Sequence, residues 1–151
     1  MASDKSVSFA TTRRVHDHCL CFATQRAARA LARRFDEVLR PVGLTSWQFS
    51  LLMSLNRAEP ATLGATASVL GIDRTTLTAN LKPLERDGLV TSAIDPADRR
   101  GRRPVLTAMG KKKLKVALPI WQRTHEEIDD LLVPKSGETM RAGLRALAEG
   151  Y

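Results

Sequence analysis

The chain has 151 residues, 43 % hydrophobic and 26 % charged, the balance of an ordinary globular protein of one domain, or one domain with an extension. A chain of this length buries about two-thirds of its unfolded surface and needs neither disulfides nor a structural metal to fold. No apolar run approaches the roughly 18 residues that span a bilayer, and residues 1–5 lead into no apolar signal segment. Two cysteines only two positions apart, Cys19 and Cys21, make no secreted disulfide framework. The expected compartment is the cytoplasm, with no membrane partner. The net charge of +8 is unevenly placed: residues 1–61 carry +4, residues 62–115 carry +6 and residues 116–151 carry −2. A basic middle between less basic ends points to a polyanion as its partner, against the plainer reading of a solvated basic surface.

Residues 1–13 are polar, small and aperiodic and read as a loose arm. Residues 15–39 are helical in pattern, with Cys21, Ala28, Leu31, Phe35, Val38 and Leu39 on or near one stripe. Pro41 and Gly43 end that helix. Thr45 and Gln48 have capping-box spacing and open a short helix through Leu51, Leu52 and Leu55. Thr62 can cap a helix through Leu63, Ala67 and Leu70, closed by Gly71. Asp73 can cap another, with Leu77, Leu81 and Leu84 at i, i+4 and i+7, closed by Gly88. Two short helices joined by a tight Gly-containing turn describe a helix-turn-helix. Residues 89–94 and 104–106 are β-prone pieces around a turn-rich basic loop, a hairpin or wing. Thr107 caps a long helical region expected to reach Leu132, with Pro119 as a kink. After Pro134 a last helix runs through Met140, Leu144 and Leu147. The fold class expected is mainly α with one small β-hairpin.

The second helix of the pair, residues 73–87, is the element to place in a DNA major groove. Its leucines face the core, while Arg74, Thr75, Thr76, Thr78, Asn80, Lys82 and Arg86 offer hydroxyl, amide and cationic groups suited to phosphates and base edges. Taken alone, it reads more readily as a plain amphipathic surface helix. The wing adds specificity: Arg99, Arg100, Arg102 and Arg103 crowd four guanidinium groups into five positions beside Asp98, a repulsion that a polyanion relieves. A wing-tip arginine can enter a narrow minor groove, and Asp98 can steer one of these side chains. Pro83, inside the recognition helix, removes a donor from the Ala79 carbonyl and predicts a local distortion.

The runs Leu44-Thr45-Ser46-Trp47-Gln48-Phe49, Leu70-Gly71-Ile72-Asp73-Arg74-Thr75-Thr76-Leu77-Thr78, Leu84-Glu85-Arg86-Asp87-Gly88-Leu89-Val90, Asp95 with Asp98-Arg99-Arg100, and Leu106-Thr107-Ala108-Met109-Gly110 resemble, in order and spacing, the MarR family of bacterial transcription regulators. The likeness extends over about residues 15–147. It implies a homodimer with intertwined terminal helices, and winged helix-turn-helix lobes that grip a palindromic operator in double-stranded DNA. Residues 1–13 then form the arm, 14–57 an N-terminal dimerisation helix and a support helix, 58–106 the DNA-binding lobe, and 107–151 the C-terminal dimerisation helices. Two recognition helices would lie about 34 Å apart. The resemblance further implies repression released by a small phenolic or lipophilic effector, in a pocket lined by Phe22, Arg26, Trp47 and Phe49.

His16, His18, Cys19 and Cys21 admit three readings. They can be packing and surface residues. They can be redox groups, since Leu20-Cys21-Phe22-Ala23 resembles the peroxide-sensing segment of the organic-hydroperoxide branch of the family, with Cys21 as the sensor. The tyrosines that support the thiolate in that branch are missing, Tyr151 being the sole Tyr. They can be metal ligands, as His18 with Cys21 and His16 with Cys19 are i, i+3 pairs, but no complete ligand set emerges and no metal is expected. A Cys19–Cys21 disulfide within one helix is disfavoured, because i and i+2 project about 200° apart. No enzyme and no cofactor are expected: the chain has no Gly-rich phosphate loop, no HExxH and no GxSxG. Non-specific architectural binding of nucleic acid is the remaining alternative.

Overall fold

The computed structural model describes residues 6–99 and 101–150. In chain order the elements are α1 (Phe9–His18), α2 (Leu20–Leu39), a 3-10 turn (Arg40–Val42), α3 (Ser46–Leu55), α4 (Leu63–Leu70), α5 (Arg74–Arg86), β1 (Val90–Ile94), β2 (Arg102–Leu106), α6 (Ala108–Asp129) and α7 (Ser136–Glu149). The chain divides into two compact units after Arg34, a point inside α2.

In the first unit, helix begins earlier than the pattern predicts. Ser8 is extended and its hydroxyl accepts from the Thr11 amide at 3.2 Å, so α1 starts at Phe9, within the stretch read as a loose arm. The single helix expected over residues 15–39 is two. Cys19 turns extended (φ −79°, ψ 107°) while its amide closes α1 on the Val15 carbonyl and its own carbonyl accepts from Ala23 in α2. The expected apolar stripe is only half used. Phe35 and Leu39, past the division, are buried; Cys21, Ala28 and Leu31 are exposed.

In the second unit the polar caps set the helix starts. Thr45 and Gln48 form a complete capping box, and α3 buries Phe49, Leu51, Leu52 and Leu55. Thr62 caps α4, and Gly71, left-handed at φ 65°, turns the chain so that Asp73 caps α5 only two residues later. Leu77, Leu81 and Leu84 go into the core. Helix α5 continues through Pro83 to Arg86. The hairpin is antiparallel, from Val90 opposite Leu106 to Ile94 opposite Arg102. This register places Arg102 and Arg103 in strand β2, not in the loop where the sequence pattern puts them. Thr107 caps α6, which passes through Pro119 and ends at Asp129, short of Leu132. Met140, Leu144 and Leu147 of α7 are 43–49 % exposed. The core joins leucines of α3 and α5 to Leu44, Ala67, Leu89, Val90, Leu106, Leu114 and Ala117, burying one face of every element from α3 to α6. Among the described residues no helix is long and apolar enough to cross a membrane.

Candidate nucleic-acid interface

The amino terminus of α5 is tightly organised. Asp73 accepts from the Thr76 amide at 2.8 Å and, through its other oxygen, from the Thr76 hydroxyl at 2.6 Å. These two bonds, the hydroxyl's first, hold the Asp73 carboxyl below its ordinary value. Further along the helix, the Thr78 hydroxyl donates to the Arg74 carbonyl at 2.8 Å and the Asn80 amide to the Thr76 carbonyl at 2.9 Å. Three of the side chains expected to read bases thus fold back on their own helix. The Thr76 hydrogen is taken by Asp73, while Thr78 keeps its oxygen lone pairs and Asn80 its carbonyl and second N–H for a partner. Arg74, Thr75 and Lys82 are exposed. Arg86 is also exposed, with only a loose 3.6 Å pairing to Asp87 that contributes little in water.

The wing is less uniform than its arginine count. Arg99 is exposed at the tip; Arg100 lies outside the described residues. Arg102 is exposed but curls back, donating to the carbonyls of Arg99 at 3.2 Å and Gly101 at 3.1 Å. Arg103 turns inward. One of its terminal nitrogens donates to Asp95 at 2.8 Å and the other to the carbonyl of Pro60 at 2.9 Å, with the side chain only 24 % exposed. In this position its terminal donors, expected to meet DNA, face the protein. Asp95 is the carboxylate that receives the Arg103 guanidinium. The Arg103 bond and the Ala97 amide hold its pKa below the usual carboxylate value. Sequence reading counted Asp95 in the family resemblance but gave it no role of its own, because a loop aspartate looks like an ordinary turn residue. Its signal was the unlike charge eight positions away on the opposite strand.

The α5–β1 turn is fastened to α6. The Thr107 hydroxyl donates to the Gly88 carbonyl at 2.7 Å while accepting from the Gly110 amide at 3.0 Å. Gly110 lies so close to the Leu89 carbonyl that a Cβ would collide with it.

The residues expected around an effector are divided between the two units. In the first unit, Phe22 is 38 % exposed and the Arg26 guanidinium lies 5.6 Å from its ring centroid. In the second, Trp47 has a buried indole N–H without a partner among the described residues. Phe49 is buried and stacks on Trp121 at 6.2 Å. Phe49 and Trp121 line an apolar cleft of about 420 Å³ with Met53, Val69, Leu70 and Leu118. Trp121 was missed because it lies 72 positions from Phe49, beyond any local pattern.

Around the cysteines, Cys21 is exposed and its sulfur accepts from the Gln25 amide at 3.1 Å. Cys19 is partly buried and accepts from the Phe22 amide at 3.4 Å, capping α2. The break at Cys19 removes two arguments made for one continuous helix: the opposite faces of Cys19 and Cys21, and the shared face of His18 and Cys21. His16 bonds Asp17 and His18 bonds the Arg14 carbonyl, each at 2.9 Å. Among the described residues no group of three or more His, Cys, Asp or Glu side chains could hold a metal ion.

Comparison with known proteins fits this architecture. The sequence profile of the MarR family matches residues 44–101, the stretch from the α3 cap to the wing. The chain is 35 % identical over 88 residues to the helix-turn-helix transcriptional regulator YwoH of Bacillus subtilis; the match covers 58 % of this chain and 64 % of that one, so the chain spans less than two-thirds of that relative. The transcriptional regulator MosR of M. tuberculosis, solved in complex with DNA, is 36 % identical with a TM-score of 0.79, over 88 % of this chain and 96 % of that chain. The repressor CouR bound to a 23-mer DNA duplex gives 29 % identity and a TM-score of 0.80, over 89 % and 96 % of the two chains. CouR bound to p-coumaroyl-CoA gives 26 % and 0.79, over 91 % and 96 %. With the profile centred on the helix-turn-helix and wing, and the likeness to MosR running nearly end to end, the chain belongs to the MarR family of transcription regulators.

Proposed function

We propose that the protein is a homodimeric, sequence-specific DNA-binding repressor released from a palindromic operator by a small aromatic or lipophilic effector. One observation carries the DNA-binding reading: α5 exposes Arg74, Thr75 and Lys82 along a helix whose leucines are all buried, followed at once by a hairpin with Arg99 at its tip. Phosphate contacts then come from Arg74, Lys82, Arg86 and Arg99, and base contacts from Thr75, Thr78 and Asn80. The DNA-bound structures of MosR and CouR support this reading. The dimer reading is supported by apolar side chains left in water on the terminal helices, Phe9 and Leu20 near one end and Met140, Leu144 and Leu147 near the other. The effector reading is supported by the aromatic cleft beside Phe49 and Trp121 and by the p-coumaroyl-CoA complex of CouR.

Fluorescence anisotropy on the DNA upstream of its own gene, with random duplex as competitor, tests the proposal. The specific site should win, and Arg99→Ala should flatten the slope of log affinity against log salt by about one unit. Equal binding to random duplex would replace the repressor by an architectural protein. Leu144→Asp should shift the sedimenting species towards monomer.

A second reading, redox control, rests on the exposure of Cys21 beside the Gln25 amide. Specific binding lost after a mild organic hydroperoxide, restored by thiol and insensitive in Cys21→Ser, would establish it. Unchanged binding would leave the aromatic effector as the sole signal.

A further inference from the structure

The wing carries its cations in two different states, and the difference assigns a role to Arg103. Like charges crowded on one hairpin repel, and a cation presented to DNA keeps its donors in water until a phosphate replaces that water. Arg99 meets that description. Arg103 does not: its two terminal nitrogens are bonded to Asp95 and to the Pro60 carbonyl, in the loop before α4, 43 residues away in sequence. Glu59, beside Pro60, adds negative charge to the same guanidinium. Asp95 is itself a node. Its carboxylate accepts from the Ala97 amide at 2.9 Å, its amide donates to the Gly101 carbonyl at 3.1 Å, and its carbonyl accepts from the Asp98 amide at 3.2 Å. The Gly101 amide returns to the Asp98 carbonyl at 2.8 Å, and Gly101 packs so closely on Asp95 that a Cβ would stand 3.1 Å from the aspartate Cβ. One side chain thus ties the closed tip loop, through its first residue, to the turn that leads into the helix-turn-helix.

We infer that Arg103 is a positioning residue and not a DNA contact: through Asp95 and the Pro60 carbonyl it fixes the wing against the helix-turn-helix, so that Arg99 is presented at a set distance from α5. The planar fork is required, because two acceptors in different directions are met by two nitrogens of one group; a lysine ammonium carries the charge without that geometry. The inference rests on the DNA-binding reading above for its consequence, while the brace itself is a property of the free protein.

Two measurements on Arg103→Met, Arg103→Lys, Asp95→Asn and Arg99→Ala keep these apart. In the DNA-free protein, amide exchange at Ala97, Asp98 and Gly101 should quicken in the first three variants and stay as in the wild type in Arg99→Ala. On operator DNA, the first three should lose about tenfold in affinity with the salt slope unchanged, whereas Arg99→Ala should flatten it. Asp95→Asn decides most sharply. If Arg103 touched phosphate, removing its carboxylate partner would release it, tightening binding and steepening the slope; that result, or full rescue by Arg103→Lys, overturns the inference. Unchanged exchange in Arg103→Met also overturns it, even should a variant bind DNA poorly for other reasons. If the wild type itself prefers no DNA, the DNA-binding reading fails, and exchange alone decides whether the brace exists. Circular dichroism on each variant confirms that it is folded; if Arg103→Met is not, Asp95→Asn and Arg103→Lys carry the same test.

Discussion

At the scale of single residues, two glycines do different work and should respond differently to one methyl group. Gly71 is left-handed at φ 65° with open space around its would-be Cβ, so Gly71→Ala should cost only the backbone preference, about 1 kcal/mol. Gly110 sits where α6 starts against the Leu89 carbonyl, and its Cβ has nowhere to go. Gly110→Ala must push α6 off the α5–β1 turn or bend it, which overpacking data place at about 3 kcal/mol. Urea unfolding of the two variants checks the ordering; a larger loss at Gly71 would mean the α6 start is softer than its packing indicates. Thr107 belongs to the same contact. Thr107→Val removes both the Gly88 bond and the Gly110 cap and should cost about 1–2 kcal/mol. The sequence showed Thr107 as a cap. It could not show that the same hydroxyl also reaches Gly88, 19 residues back.

At the scale of elements, α5 illustrates how a short polar signal starts a helix that tertiary burial then sustains. The Asp73 cap, the Gly71 turn before it and three leucines at helical spacing were all legible in order, because each is a local device. What the chain did not show is that Thr76, Thr78 and Asn80 would bond to their own helix. Asp73 ties this element to pH. Its carboxyl is held below the ordinary value of 3.8, first by the Thr76 hydroxyl and then by the Thr76 amide. A group depressed on folding stabilises the folded form above its unfolded pKa and loses that contribution as pH falls through the folded one. The first turn of α5 should therefore loosen below about pH 4, seen as faster amide exchange at Thr76, and Asp73→Ala should show the looser turn already at neutral pH. A cap indifferent to both changes would transfer the start of α5 to packing alone. The Cys19 break is the opposite lesson. Its flanks form helix on both sides, and nothing in the local pattern marks the one residue that turns extended.

At the scale of the whole molecule, the second unit is held by contacts between elements far apart in the chain. His125 of α6 lies between Phe35 and Trp121, with ring centroids at 5.1 and 4.3 Å, and Trp121 in turn stacks on Phe49 of α3. Burial lowers the His125 pKa below its ordinary value, with Arg141 acting the same way and Asp129 opposing. A histidine kept neutral on folding leaves stability intact above its unfolded pKa of about 6.5 and withdraws it as pH falls below that, because the unfolded chain takes the proton more readily. Tm should therefore decline from pH 7 towards pH 5, and His125→Phe should flatten that part of the curve. An unaltered slope would place the acid sensitivity elsewhere.

The sequence by itself determined the order and kind of most elements, the helix-turn-helix with its caps, and the basic wing, since caps, turns and apolar spacing act over a few residues and are written locally. The family likeness was legible for the same reason. Only the tertiary structure decided which polar groups face solvent and which face the protein. Arg99 and Arg103 are chemically identical and four positions apart, yet one is exposed and the other joins Asp95 to Pro60. That choice follows from β-strand register and from a carbonyl 43 residues distant, because a guanidinium reaches whatever acceptors folding brings within about 3 Å, and no local pattern lists them.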